Sequence, residues 1–290
     1  MPLDPGELKR LAGAEMEVLR KELHDLKECQ FKFLSTTPIL TGFLLGLPQI
    51  FGKVEVKHDE PHSLLYLTSL LSLLVLLPAW WVFFDKAKTV TRIVGYYRLL
   101  EAVARGDFRP RRFLGWERSL EIFRRARSES SLSSLIEESD VSQDLTDDER
   151  RRLSLLKLSR LRRTVKTLPR FFQAAFLSEN QLYWLLAYDT FAILSLVSLS
   201  IPVFTLANRP DHFVLHWGQW VIVLLAALSV VWCCIENAMV LSDLMWGHYS
   251  YTANHLIWIS IMAKDGGTPD EGPAERYARS VSLLQPAGSN

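Results

Sequence analysis

Apolar residues in this chain come in blocks. Four windows lack any Asp, Glu, Lys or Arg: Phe33 to Gly52, Ser63 to Phe84, Thr190 to Asn208 and Phe213 to Ile235. Each holds about the 20 residues a helix needs to cross the hydrocarbon of a bilayer. The pattern predicts four transmembrane helices arranged as two hairpins, with short loops at 53–62 and 209–212. After the second window the spacing turns amphipathic. Val90, Ile93, Val94, Tyr97, Leu100 and Ala104 recur at helical intervals, and Gly106 reads as a stop. The second span is therefore expected to continue beyond the membrane as a helix. Residues 244–263 are also free of charge, but His248, Asn254 and His255 are costly in hydrocarbon. This stretch reads as an amphipathic extension of the fourth span rather than a fifth span.

The fold class that follows is an all-α integral membrane protein with amphipathic cytoplasmic helices. Its expected parts are an amphipathic helix at 1–30, a first hairpin at 31–85, a basic helical region at 86–170, a second hairpin at 171–243, the extension helix at 244–264 and a disordered tail at 265–290. Within the basic region, the Ser-rich acidic stretch at 128–145 has the composition of a flexible linker. The capping box from Thr146 to Glu149 then starts a helix expected to run to about residue 167.

Composition changes this picture mainly through the placement of charge. A formal net charge of +1 conceals a basic centre, with 21 Lys/Arg against 14 Asp/Glu between Asp85 and Glu179. The only Lys or Arg residues in the loops at 53–62 and 209–212 are Lys53, Lys57 and Arg209. Basic residues favour the cytoplasmic side, so the centre and both termini are expected there, in a multi-pass protein of the cell inner (plasma) membrane. Residues 1–30 are charged and lack an early apolar core, so the first span is expected to serve as its own insertion signal. Cys29, Cys233 and Cys234 form no disulfide or metal pattern and read as small core residues.

Two acidic residues stand at the spans themselves. Asp189 lies about seven residues into the third span and Glu236 near the inner end of the fourth, so the two share a depth on adjacent helices. They are candidates for an acidic ring in a cation-conducting pore. Pairing with Lys32, Lys86 or Lys88, or, for Glu236, reaching the headgroups, is the reading that stands ahead of the ring. In the first span, Gly42 and Gly46 form a G-x-x-x-G beside Pro38 and Pro48, a pattern that permits close helix approach or a hinge.

The run "RGDFRPRRFLGWERSLEIFRRAR" is denser in Arg than topology requires. Arg109, Arg111, Arg112, Arg118, Arg124, Arg125, Arg127 and Trp116 are the candidates for holding a polyanion such as a nucleotide or oligonucleotide, with an aromatic ring to stack on a base. Arg160, Arg162, Arg163 and Lys166 alternate with leucines and suit contact with anionic lipid, or recruitment of a protein partner. On the outer side, His58, His62, His212 and His216 have donors that suit zinc or copper and titrate near neutrality. Interfacial decoration is the default for them, and no metal or cofactor is expected. No nucleotide-binding loop, zinc-protease motif, nucleophile elbow or paired C-x-x-C occurs, so an enzyme is not expected.

Gln30 to Ser35 matches Gln173 to Ser178 at four of six positions, and Gly95-Tyr-Tyr97 resembles Gly247-His-Tyr249. Both halves then read as lead-in, hairpin and follow-on helix, as parallel repeats. The unit of charged lead-in, apolar hairpin and "TRIVGYYRLLEAVA" follow-on helix resembles the SLATT-type two-span membrane effectors of bacterial conflict systems. The likeness covers residues 7–104, with a second copy at 171–263. It implies a homo-oligomeric pore or membrane-disrupting effector in anti-phage defence, controlled by a cytoplasmic ligand or partner. A membrane-anchored adaptor and a small secondary transporter are the alternative expectations.

Overall fold

Six helices run their full length among the described residues, and no strand occurs there: α1 (Pro5–Phe51), α2 (Glu60–Arg105), α3 (Trp116–Ala126), α4 (Glu179–Ala207), α5 (Trp217–Trp246) and α6 (Tyr251–Ala263). The structure is a computed structural model that describes residues 4–51, 60–108, 110, 113, 115–126, 162, 179–207 and 217–263. Four of these helices, α1, α2, α4 and α5, are long and apolar enough to cross a membrane.

Local chemistry sets the helix ends. Asp4 caps α1, its Oδ2 accepting the Gly6 N–H at 3.1 Å, and Pro5 takes the first helical position, where no backbone donor is needed. At the far end of α2, Gly106 adopts φ +86°, with its N–H bonded to the Val103 carbonyl and the Asp107 N–H to the Ala102 carbonyl. This is the paired pattern of a left-handed glycine stop, at the residue where the sequence pattern ends.

The fourth span and its continuation are two helices. The chain turns at Gly247 to Ser250, where the N–H groups of Gly247 and Tyr249 both reach the Asp243 carbonyl. The Ser250 hydroxyl then caps α6 by accepting the Ala253 N–H at 3.2 Å. With 13 residues, α6 is about 20 Å long, too short to span a bilayer. Ala253, Asn254, Leu256, Ile257, Trp258, Ser260, Ile261 and Met262 are all buried, so α6 hides most of its circumference instead of lying with one face in water.

The chain divides into two compact units, and α1 and α2 supply residues to both. Unit 1 comprises Met1–Leu26, Lys88–Val165 and Asp243–Asn290. Its core combines Leu8, Ala12 and Leu19 of α1, Ile93, Tyr96, Leu100 and Val103 of α2, Leu120 and Phe123 of α3, and Ile257, Trp258 and Ile261 of α6. Trp258 is its centre, with its ring 4.8 Å from Tyr96, 5.6 Å from Trp116 and 4.6 Å from Phe123. Its indole N–H donates to the Arg92 carbonyl at 3.1 Å. Gly95 lets α2 and α6 meet, because a Cβ there would fall 2.7 Å from the Asn254 Cβ and 3.0 Å from the backbone of Asn254 and His255.

Unit 2 comprises Lys27–Ala87 and Lys166–Ser242. Here α2 is the central helix: 44% of its most apolar window is buried, against 11% for α5. Trp80 stacks on Phe191 at 6.0 Å and meets the Tyr188 ring edge-on at 5.3 Å. Phe83 lies among Tyr183, Trp184 and Phe191. Leu224, Leu228, Val231, Trp232 and Ile235 of α5 are exposed, a surface composition suited to hydrocarbon. At Gly42 and Gly46 an added Cβ would meet nothing within 4 Å, so no described residue occupies that G-x-x-x-G groove.

Candidate functional site

At the end expected to face the cytoplasm, the charge-free windows are bordered by Lys32, Asp85, Asp189 and Glu236. The packing of unit 2 draws these borders to one level. The Gln30 amide on α1 donates to the Phe83 carbonyl on α2 at 3.2 Å. Phe83 and Phe84 pack on α4 residues between Tyr183 and Phe191. The Tyr188 hydroxyl donates to the Cys234 carbonyl on α5 at 3.1 Å. A charged layer thus closes one end of the apolar band, with aromatic rings directly beside it.

Within that layer Asp189 differs from its neighbours. It is exposed, and it makes no ion pair or hydrogen bond to any described residue. Lys32, one potential counter-ion, is bonded instead to Glu28 one turn away on its own helix at 2.7 Å. Lys88 rests its ammonium 5.3 Å from the centre of the Tyr249 ring. Glu236 is half-buried and engaged by a neighbouring group. An uncompensated carboxylate costs about 3 kcal/mol at the centre of a bilayer and less toward its edge. Asp189 stands one residue outside the charge-free window, where water or a headgroup can reach it.

Unit 1 holds a second arrangement, built on Glu15. This residue falls on the apolar stripe of α1 between Ala12 and Leu19. One carboxylate oxygen accepts the backbone N–H of Trp116, the first residue of α3, and the other accepts the Tyr96 hydroxyl at 3.2 Å. Glu15 therefore caps α3 from a different helix, answering a donor that no intrahelical carbonyl can reach. Gly115 enters α3 at φ +73°, a conformation that favours glycine. Burial raises the Glu15 carboxyl above its ordinary range, and the bonds from Trp116 and Tyr96 pull it partly back. The Tyr96 phenol is also raised, first by burial and then by the charge of Glu15. Cations line the same unit: Arg92 sits 5.3 Å from the Phe123 ring centre and Arg98 5.7 Å from that of Tyr251, and Arg20 donates to the Tyr97 hydroxyl at 2.9 Å.

The residues singled out from sequence separate accordingly. Trp116 is packed against Tyr96 and Trp258, so its ring serves the core of unit 1. Arg118 and Arg124 are exposed on α3, and Arg162 is exposed. Arg125 lies in α3, with its side chain outside the described residues. Arg109, Arg111, Arg112, Arg127, Arg160, Arg163 and Lys166 fall outside the described residues, as do His58, His212, His216, the linker at 128–145 and the tail. The His62 side chain is likewise not described. Among the described residues no group of three or more His, Cys, Asp or Glu side chains could hold a metal. Glu15 and Gly95 were not legible as site residues. The one signal for Glu15 is a charge placed on an apolar stripe.

No known protein family matches the chain, and no curated protein or solved structure matches it either, so its function is read from its own residues.

Proposed function

We propose that this protein is an oligomeric membrane channel or pore-forming effector, multi-pass in the inner membrane, gated by a ligand or partner on the cytoplasmic side. The observation that carries the reading is Asp189: an exposed carboxylate without a partner among the described residues, at the edge of an apolar band, in a layer shared with Asp85 and Glu236. At the end of each copy such a carboxylate concentrates cations at the mouth of a conducting path. Arg118 and Arg124 on the exposed face of α3 supply positive charge where a nucleotide-like ligand can bind. Anti-phage defence is the biological setting that the resemblance to two-span conflict effectors implies.

The test is reconstitution of the purified chain into planar bilayers. Cation-selective conductance is expected, with Asp189→Asn lowering both the current and the preference for cations. A chain that stays monomeric in mild detergent and gives no conductance, with or without nucleotides, would sink the proposal.

The exposed arginines of α3 also favour a second reading, an adaptor that recruits an acidic partner. In that case Asp189→Asn leaves activity intact, whereas charge reversal at Arg118 and Arg124 abolishes it.

A further inference from the structure

Hydroxyls in apolar helices usually bond back to a carbonyl one turn earlier, which spares them an unpaired donor in hydrocarbon. Ser35, Thr36, Thr68, Ser72, Thr190, Ser200 and Thr205 all do so. Thr41, Ser195 and Ser198 do not, and bond to no other described residue, although each is 0% exposed. The Trp80 indole N–H is in the same condition, also at 0% exposure. These four groups come from three packed helices of unit 2.

Helical register places the three hydroxyls near one another in depth, with Trp80 about 12 Å nearer the charged end. With Gln30 bonded to Phe83, antiparallel counting sets Thr41 level with Ser72. With Trp80 against Tyr188 and Phe191, the same counting sets Ser72 level with Ser198. Ser195 falls about one turn nearer Trp80. At 1.5 Å per residue, Ser198 lies about 13 Å beyond Asp189, close to the middle of a hydrocarbon layer about 30 Å thick. Between that hydroxyl layer and the charged end stands the stacked pair of Trp80 and Phe191.

We infer that Thr41, Ser195, Ser198 and the Trp80 N–H mark an aqueous seam inside each protomer, between α1, α2 and α4, closed here by the Trp80–Phe191 stack. Buried donors without partners raise the free energy of the dry packing, and water entering the seam supplies those partners. They therefore bias the helices toward a hydrated, open arrangement, while the aromatic stack holds the closed one by excluding water. The inference rests on the channel reading and adds where the path runs: through the protomer, not along the exposed face of α4 between copies.

Cysteine accessibility tests it. In a chain carrying Cys29→Ser, Cys233→Ala and Cys234→Ala, single cysteines are placed at Thr41, Ser195 and Ser198, and for comparison at Ile193 and Leu196, both exposed on α4. A cationic thiosulfonate reagent is then applied during conductance recording. Block at 41, 195 and 198 is expected, on the order of tenfold faster in the open state than in the closed one, with 193 and 196 slow. Reaction at 193 and 196 with 195 and 198 inert would overturn the seam and leave the channel reading standing. Absence of conductance from the unsubstituted chain would remove both. Independently, Ser195→Ala and Ser198→Ala should each shift the equilibrium toward the closed state, on the order of tenfold. A shift toward the open state would count against the seam.

Discussion

In unit 1 the half-buried carboxylate of Glu15 meets the Trp116 N–H and the Tyr96 hydroxyl, and the Trp258 indole meets the Arg92 carbonyl. In unit 2 the Trp80 indole and the hydroxyls of Ser195 and Ser198 are fully buried and bond to no described residue. Both units are helical and rich in aromatic rings, so packing alone does not separate them. What separates them is the treatment of buried polarity. Unit 1 uses much of it to join elements far apart in sequence. Unit 2 does the same near its charged end through Gln30 and Tyr188, but leaves Thr41, Ser195 and Ser198 without a described partner at mid-depth of its apolar band. A fully bonded polar group locks one arrangement, whereas an unbonded one lowers the cost of leaving it.

The sharpest way to break this comparison is through the two tryptophans. Trp258→Phe removes the indole N–H that answers the Arg92 carbonyl at the centre of unit 1 and should destabilise it by about 2–3 kcal/mol in chemical denaturation. Trp80→Phe deletes only an unanswered N–H along with some ring volume, and should cost less than about 1.5 kcal/mol by the same measurement. Equal losses would show that the bonded and unbonded indoles do not differ as described. A pair of glycines gives the next largest contrast. Gly95→Ala forces a Cβ into Asn254 and His255 and should cost about 1–3 kcal/mol. Gly42→Ala meets open space and should be neutral or slightly stabilising in the monomer's thermal unfolding.

Glu15 provides a pH test of the same contrast. Its folded-state pKa lies above its ordinary value of 4.5, so the folded state favours the protonated carboxyl. The associated stability is fully present below pH 4.5 and is lost as pH rises through the higher folded value. Glu15→Gln should flatten that slope in unfolding curves taken across this window, at a cost of about 1 kcal/mol from the weakened cap. An unchanged slope would mean that another group carries the dependence. The helix stop is expected to matter about as much: Gly106→Ala places a Cβ at φ +86° and should cost about 1 kcal/mol. Smallest of all, Arg118→Ala on the exposed face of α3 should change stability by no more than about 0.5 kcal/mol, which makes any loss of function there attributable to binding.

Much of the architecture was legible because helix formation and membrane crossing depend on local pattern. The four windows correspond to α1, α2, α4 and α5, and the run from Val90 to Ala104 does continue the second span to Gly106. The stretch after the fourth window was harder to read. Its absence of charge resembled a continuation, yet Gly247 turns the chain, and α6 is buried on most sides by α2 and α3. A short apolar helix has the same local pattern whether it lies on a surface or inside a bundle. Trp116 illustrates the same limit for the site: beside eight arginines it reads as a stacking platform, while in the fold it fills the space between Tyr96 and Trp258.

By itself the sequence determined how many helices are apolar enough to cross a membrane, where α2 stops, and which charges border each window, since each of these follows from residues within a few turns of one another. Only the tertiary structure decided that Glu15 caps a helix 101 residues away and that Gly95 is a point of close approach. It alone distinguished Ser195 and Ser198 from the other serines of the spans. A hydroxyl's partner is set by the helix it faces, and which helix that is depends on packing between segments that local periodicity does not link.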